Sequence, residues 1–240
     1  MTLFAMKSSA ALIACLCLSA CITQREHVLA PDTRGIVIDA RQGVPIAGAQ
    51  VRYAEIEAVA PVSTGADGGF VLPGLTDKRV IVALPVSGVY RSLTDVRVSV
   101  SGRADGYASA AFINAGQPAK AVYRVVVLMF PADAPETPLH ALMRDCVDGP
   151  EQDHALHLAG YVSTLDPETP PVWFDEQTPE ALLEHLRHAL PSSGFMACER
   201  MSDAYEMFKA QKAPLEAIRR AAYIESLPPH LRPAPEPGGE

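Results

Sequence analysis

Apolar residues change their spacing near residue 131. Before it they come in short runs or in strict alternation. Gly35-Ile36-Val37-Ile38-Asp39 is a compact apolar run, and 49–56 alternates at period two, as a half-buried strand does. Asp67-Gly68-Gly69 marks a turn and leads into Phe70-Val71-Leu72. Further strands are expected at 80–84, 96–100, 107–113 and 121–130. Many short strands separated by turn residues predict an antiparallel sandwich or barrel, and no alternation of strand with helix points to a parallel sheet.

After Pro131 the pattern becomes helical. Pro131, Pro135 and Pro138 make 132–138 a linker. Helices are expected over 139–146 and 152–164, then a Pro-rich loop over 166–177 that holds Trp173 and Phe174. Thr178-Pro179-Glu180 opens another helix with a Thr cap, a first-turn proline and an early acid. Its apolar stripe is Leu182, Leu183, Leu186 and Leu190. The spacing predicts a helix over 202–212 and a separate one starting at Pro214 and running to about 225, because an internal proline removes a helical hydrogen bond. The Pro-rich end, 227–240, is expected to be disordered. The sequence is therefore expected to form an all-β sandwich over 34–131, followed by a mainly α-helical region over 139–226.

Composition and charge narrow the function classes. The 240 residues carry 20 Lys+Arg against 28 Asp+Glu, net −8, which argues against nucleic acid as a partner because phosphate binding needs a basic face. Lys7 precedes a short apolar run over 10–18, about half the roughly 20 residues that a membrane span needs, so residues 1–20 read as a secretory signal. Met6-Lys7 is the more usual start of such a signal, which leaves Met1 and Met6 as alternative translation starts. The run ends in Leu18-Ser19-Ala20-Cys21, which resembles a bacterial lipobox. That resemblance implies cleavage before Cys21, acyl chains on the new N-terminal Cys21 with its thiol as the diacylglycerol acceptor, and a membrane partner reached through those chains. Several chains on one residue give a lasting anchor where a single chain binds only marginally. Ile22, which is not Asp, implies sorting to the outer membrane, facing the periplasm. Residues 22–33 are expected to be a polar tether. With Cys15 and Cys17 lost and Cys21 acylated, Cys146 and Cys198 are left as an even pair in an oxidising compartment, and a disulfide between them is expected, with two buried free thiols as the alternative.

The strand region carries a second resemblance. Gly35-x-Val37-x-Asp39, Gly43-Val44-Pro45-Ile46-x-Gly48-Ala49-x-Val51 and Thr64-x-x-Asp67-Gly68-x-Phe70-x-Leu72 resemble the carboxypeptidase regulatory-like domain, with Gly106-Tyr107 similar to its later Gly-Tyr pair. The resemblance covers 34–131 and implies a transthyretin-like (prealbumin-like) sandwich of about seven strands. It implies an accessory module: the peptidase chemistry of such proteins sits on a separate zinc domain, and the chain has no room for one. The motif glycines then serve turns, and Val51 and Phe70 face the core.

Candidate chemistry is sparse. His154 and His157 are three apart, as are His185 and His188, so each pair shares a helix face. With Glu151 and Glu184 nearby, these four histidines form a possible metal site, set against the alternative of surface histidines; the leucine stripe places His185 and His188 toward the polar side of their helix. Trp173-Phe174 is either a binding surface for a partner or glycan or a pin for its loop. No Gly-x-Ser-x-Gly elbow and no phosphate-binding loop is present, and no cofactor is expected. The function expected from the sequence is a non-enzymatic, outer-membrane-anchored lipoprotein that docks an unidentified envelope protein. A small-ligand or glycan binder is the first alternative and a metal-dependent hydrolase using the histidine pairs the second.

Overall fold

The computed structural model describes residues 22–82, 90–114 and 122–233. The signal region, Cys21 and the last residues of the tail lie outside them. The described residues form nine strands in three small sheets and five α-helices, a mixed α/β fold. This corrects the expectation of an all-β sandwich with a helical region appended to it.

Strands β1 (Ile22–Ala30) and β6 (Leu75–Val82) make a two-stranded antiparallel ribbon. A three-stranded sheet has the order β5 (Gly69–Leu72), β2 (Thr33–Asp39), β9 (Tyr123–Met129), with β9 parallel to β2. A four-stranded antiparallel sheet has the order β4 (Val62–Ser63), β3 (Gln50–Tyr53), β7 (Tyr90–Ser99), β8 (Gly106–Asn114). The stretch expected as a tether is thus mostly strand. Gly68 takes φ +71° at the β4–β5 turn, where an added Cβ would meet the Val37 carbonyl oxygen at 2.7 Å; glycine is required there.

Two cores explain the correction. Val37, Val125, Val127 and Met129 pack with Val51, Tyr53, Val96, Val98 and Phe70, filling the space between the two larger sheets. Ile38, Val126, Leu128 and Phe130 alternate with them and face the helices. The central sheet is therefore buried on both faces. The unbroken apolar run 125–130 is the sequence trace of that two-sided burial.

The helices are α1 (Pro138–Met143), α2 (Pro150–Val162), α3 (Thr178–Ala189), the short α4 (Ser192–Phe195) and α5 (Met201–Ser226). Cys146 and Cys198 form a disulfide that ties the segment after α1 to the α4–α5 connection. A loop of about fifty residues closed in this way is worth roughly 4 kcal/mol in the chain-entropy account. Helix α5 runs unbroken through Pro214, against the expected break. Ala204 and Phe208 before the proline, and Leu215 and Ile218 after it, are buried together, and their packing outweighs the local cost of roughly 3 kcal/mol. At the start of α3 the Asp175 carboxylate, not the expected Thr178 cap, accepts from the Gln177 and Thr178 N–H groups. Part of the expected disordered tail is ordered: Pro229–Leu231 is a 3-10 turn, and Arg232 donates to the carbonyls of Leu227 and Glu225.

Candidate functional site

The four histidines singled out in the sequence do not converge. His154 on α2 and His185 on α3 meet in the interior, each fully enclosed where the helices cross the seam between β8 and β9. His185 lies inside although the leucine stripe had placed it outside. His154 Nε2 is 2.7 Å from the Leu128 carbonyl oxygen, which can only accept, so Nε2 carries the proton and Nδ1 is an acceptor. His185 Nε2 then donates to His154 Nδ1 at 3.2 Å, and His185 Nδ1 accepts from the Ser109 hydroxyl at 3.1 Å. The bonds run in one direction, Ser109 to His185 to His154 to Leu128. Every ring nitrogen of the pair is used, so neither has a lone pair left for a metal. Burial holds His154 down to about 4, and it drives His185 well below its ordinary value, with the neighbouring His154 adding to the effect.

Asp95 pairs across from Ser109 on the neighbouring strand. Burial pushes its carboxyl up, and one of its oxygens is enclosed without a hydrogen-bond partner. The Ser109 proton already serves His185, so Asp95 competes for a proton the chain has committed elsewhere. Glu151, at the start of α2, is pushed up to about 7, first by burial and then by the charges of Asp95 and Glu55.

His157 and His188 belong elsewhere. His188 Nε2 is bonded to Glu184 one turn back on α3, at 2.9 Å. His157 faces His140, with ring centres 4.5 Å apart, and its Nε2 lies 3.9 Å from Asp153. His140 on α1 is a residue the sequence reading passed over. It is a lone histidine on a six-residue helix, with no partner at helical spacing to draw attention to it. It is buried, and its Nδ1 sits 2.9 Å from the Thr137 backbone nitrogen and 2.7 Å from the Thr137 hydroxyl. Its Nε2 is enclosed and makes no hydrogen bond, although Asp153 Oδ1 is 3.4 Å away. Burial, and then the neighbouring His157, lower the pKa of His140. One ligand atom from each of His140, Asp153 and His157 can be chosen so that all lie within 4.8 Å of one another, and this is the one such group of three or more among the described residues. Gly160 of α2 holds the arrangement tight: an added Cβ would meet Thr137 Cγ2 at 2.6 Å.

Two clefts flank this cluster. One of about 340 Å³ is lined by His157, Arg41, Phe130 and Tyr161. The other, about 210 Å³, is lined by His140, Asp153, Glu136 and Arg144.

Trp173 and Phe174 meet edge to face at 4.5 Å and pack against the helical core, with the indole N–H enclosed and unpaired. A third surface was not singled out in the sequence. Met196, Met201 and Tyr205 are 74%, 41% and 39% exposed around a groove of about 260 Å³ that includes the buried Phe195. The sequence signal for it is two methionines five apart across the α4–α5 turn, off the apolar stripe of either helix.

No protein-family model matches the chain, and the search of curated proteins finds no match. No helix among the described residues is long and apolar enough to cross a membrane.

Proposed function

We propose that the protein is a lipid-anchored, non-enzymatic accessory of the bacterial envelope, held at the outer membrane by acyl chains on Cys21 and docking a second envelope protein on its periplasmic side. The observation that carries the docking half is the apolar groove at the α4–α5 turn. Exposed methionines are adaptable, polarizable contacts, and an exposed apolar group of this kind favours a protein partner. The Cys146–Cys198 disulfide fixes the α4–α5 connection beside the groove, which reduces the ordering cost of binding. The occupant is an apolar or amphipathic segment of the partner, with a leucine- or phenylalanine-sized side chain entering the groove. The net charge of −8 favours basic residues on its flanks.

The anchor half rests on the lipobox-like Leu18-Ser19-Ala20-Cys21 behind a short apolar run. Strand β1 begins at Ile22, directly after Cys21, so the acyl chains would attach to a strand end rather than to a long flexible tether.

A photo-reactive amino acid at position 196 in cells should capture one dominant envelope protein, and the same probe at exposed Val172 should not. Met201→Asp together with Tyr205→Asp should abolish the capture. Equal capture from both positions, or capture indifferent to the double change, would remove the groove as the docking face.

A further inference from the structure

His140, Asp153 and His157 come from α1 and two turns of α2, and three features of their surroundings point to a ligand. The first is the buried Nε2 of His140, which makes no hydrogen bond and has the Asp153 carboxylate 3.4 Å away and the His157 ring beside it. Natural interiors leave few such atoms unpaired, and each one asks for a reason. The second is the chemistry of the set. Two imidazoles and one carboxylate suit zinc and its borderline neighbours, and three protein ligands leave a coordination position for water. The third is access: the two clefts, about 340 and 210 Å³, reach the cluster from either side.

We propose that His140 Nε2, His157 Nε2 and the Asp153 carboxylate hold a divalent ion of the zinc class. The site is distinct from the docking groove and does not depend on it.

Thr137 completes the arrangement. Without metal, His140 Nδ1 accepts from the Thr137 backbone N–H, which leaves the ring proton on Nε2. Metal binding needs the Nε2 lone pair, so that proton moves to Nδ1 and is donated to the Thr137 hydroxyl, already 2.7 Å away. The backbone N–H of Thr137 gives up its bond to the ring. Loading the site is therefore coupled to the cap of α1. The ion would cross-link α1 to α2 within the half of the molecule that the disulfide also ties. The buried pair His154–His185 contributes nothing to it, because its ring nitrogens are all engaged.

The test uses the full-length lipoprotein in detergent, made without a histidine tag and stripped with chelator. Zn²⁺ binding is followed by calorimetry, and Co²⁺ replaces it for its ligand-field spectrum. The expected result is one equivalent bound, with affinity lowered more than about tenfold by His157→Ala and by Asp153→Ala. Asp153 is exposed and His157 lies at the rim of a cleft, so neither change should prevent folding, and circular dichroism checks this. His188→Ala, which removes the other histidine–carboxylate pair, should leave binding unchanged. No stoichiometric binding to the wild type would overturn the proposal. So would binding that survives both ligand changes, or binding that His188→Ala abolishes.

Discussion

His154 and His185 show how a single carbonyl sets the chemistry of a whole cluster. The Leu128 oxygen fixes the His154 proton on Nε2, which fixes His185, which in turn commits the Ser109 proton. Both rings stay neutral in the folded state but would protonate near 6.5 in the unfolded chain. Their folded values are depressed, so the unfolded state binds more protons below 6.5. The stability they give is complete above that value and is lost as pH falls toward 4, at a slope approaching about 1.4 kcal/mol per pH unit for each ring. Glu151 works in the opposite sense. Its folded value, about 7, is raised, so its ionisation weakens the fold as pH rises from about 4.5 through 7; part exposure limits this to roughly 1 kcal/mol. Urea midpoints in metal-free buffer between about pH 8 and pH 5 should fall on the acid side. His185→Gln should flatten that fall, and Glu151→Gln, which removes the opposing slope between about 4.5 and 7, should steepen it. Unchanged slopes in both variants would contradict the assignment. None of this was legible from spacing alone. His185 stands on the polar side of a leucine stripe, and only the strand carrying Ser109 makes that side an interior.

Helix α5 and strand β9 show what local patterns carry and where they stop. A proline at 214 predicts a break when the chain is read locally. The break is absent because Phe208 and Leu215, on either side, are held against the same helical core. Pro214→Ala should restore a backbone hydrogen bond and raise the melting temperature, with a gain of up to about 3 kcal/mol. A lower melting temperature would mean that the proline's geometry is itself part of the packing. Strand positions were legible wherever alternation or an apolar run was clear, as at β2, β5 and β9. Strand β1, Ile-Thr-Gln-Arg-Glu-His-Val-Leu-Ala, was not, because its charged centre reads as tether and its pairing with β6 is long-range. The run 125–130 did carry the message that both faces of its sheet are covered. That message separates a sheet roofed by helices from a sandwich with one face in water.

At the scale of the molecule the helices and sheets share a core, so the motifs at 34–131 that resemble a carboxypeptidase regulatory-like domain mark turns and strands without fixing the architecture around them. The Cys146–Cys198 disulfide was legible from cysteine counting, given the reading of residues 1–20 as a signal and Cys21 as acylated, which leaves one pairing. The His140–Asp153–His157 cluster could not be found that way, since its members approach only when α1 docks on α2. The proposed function rests on an anchor at Cys21 and on a docking face at the α4–α5 turn. In-cell cross-linking of the full-length protein beside its Cys21→Ser form, followed by mass spectrometry, tests that proposal most directly. The account predicts one stoichiometric envelope partner, captured by the wild type and lost in the Cys21→Ser form. A partner captured equally by both forms, or none captured by either, would contradict it.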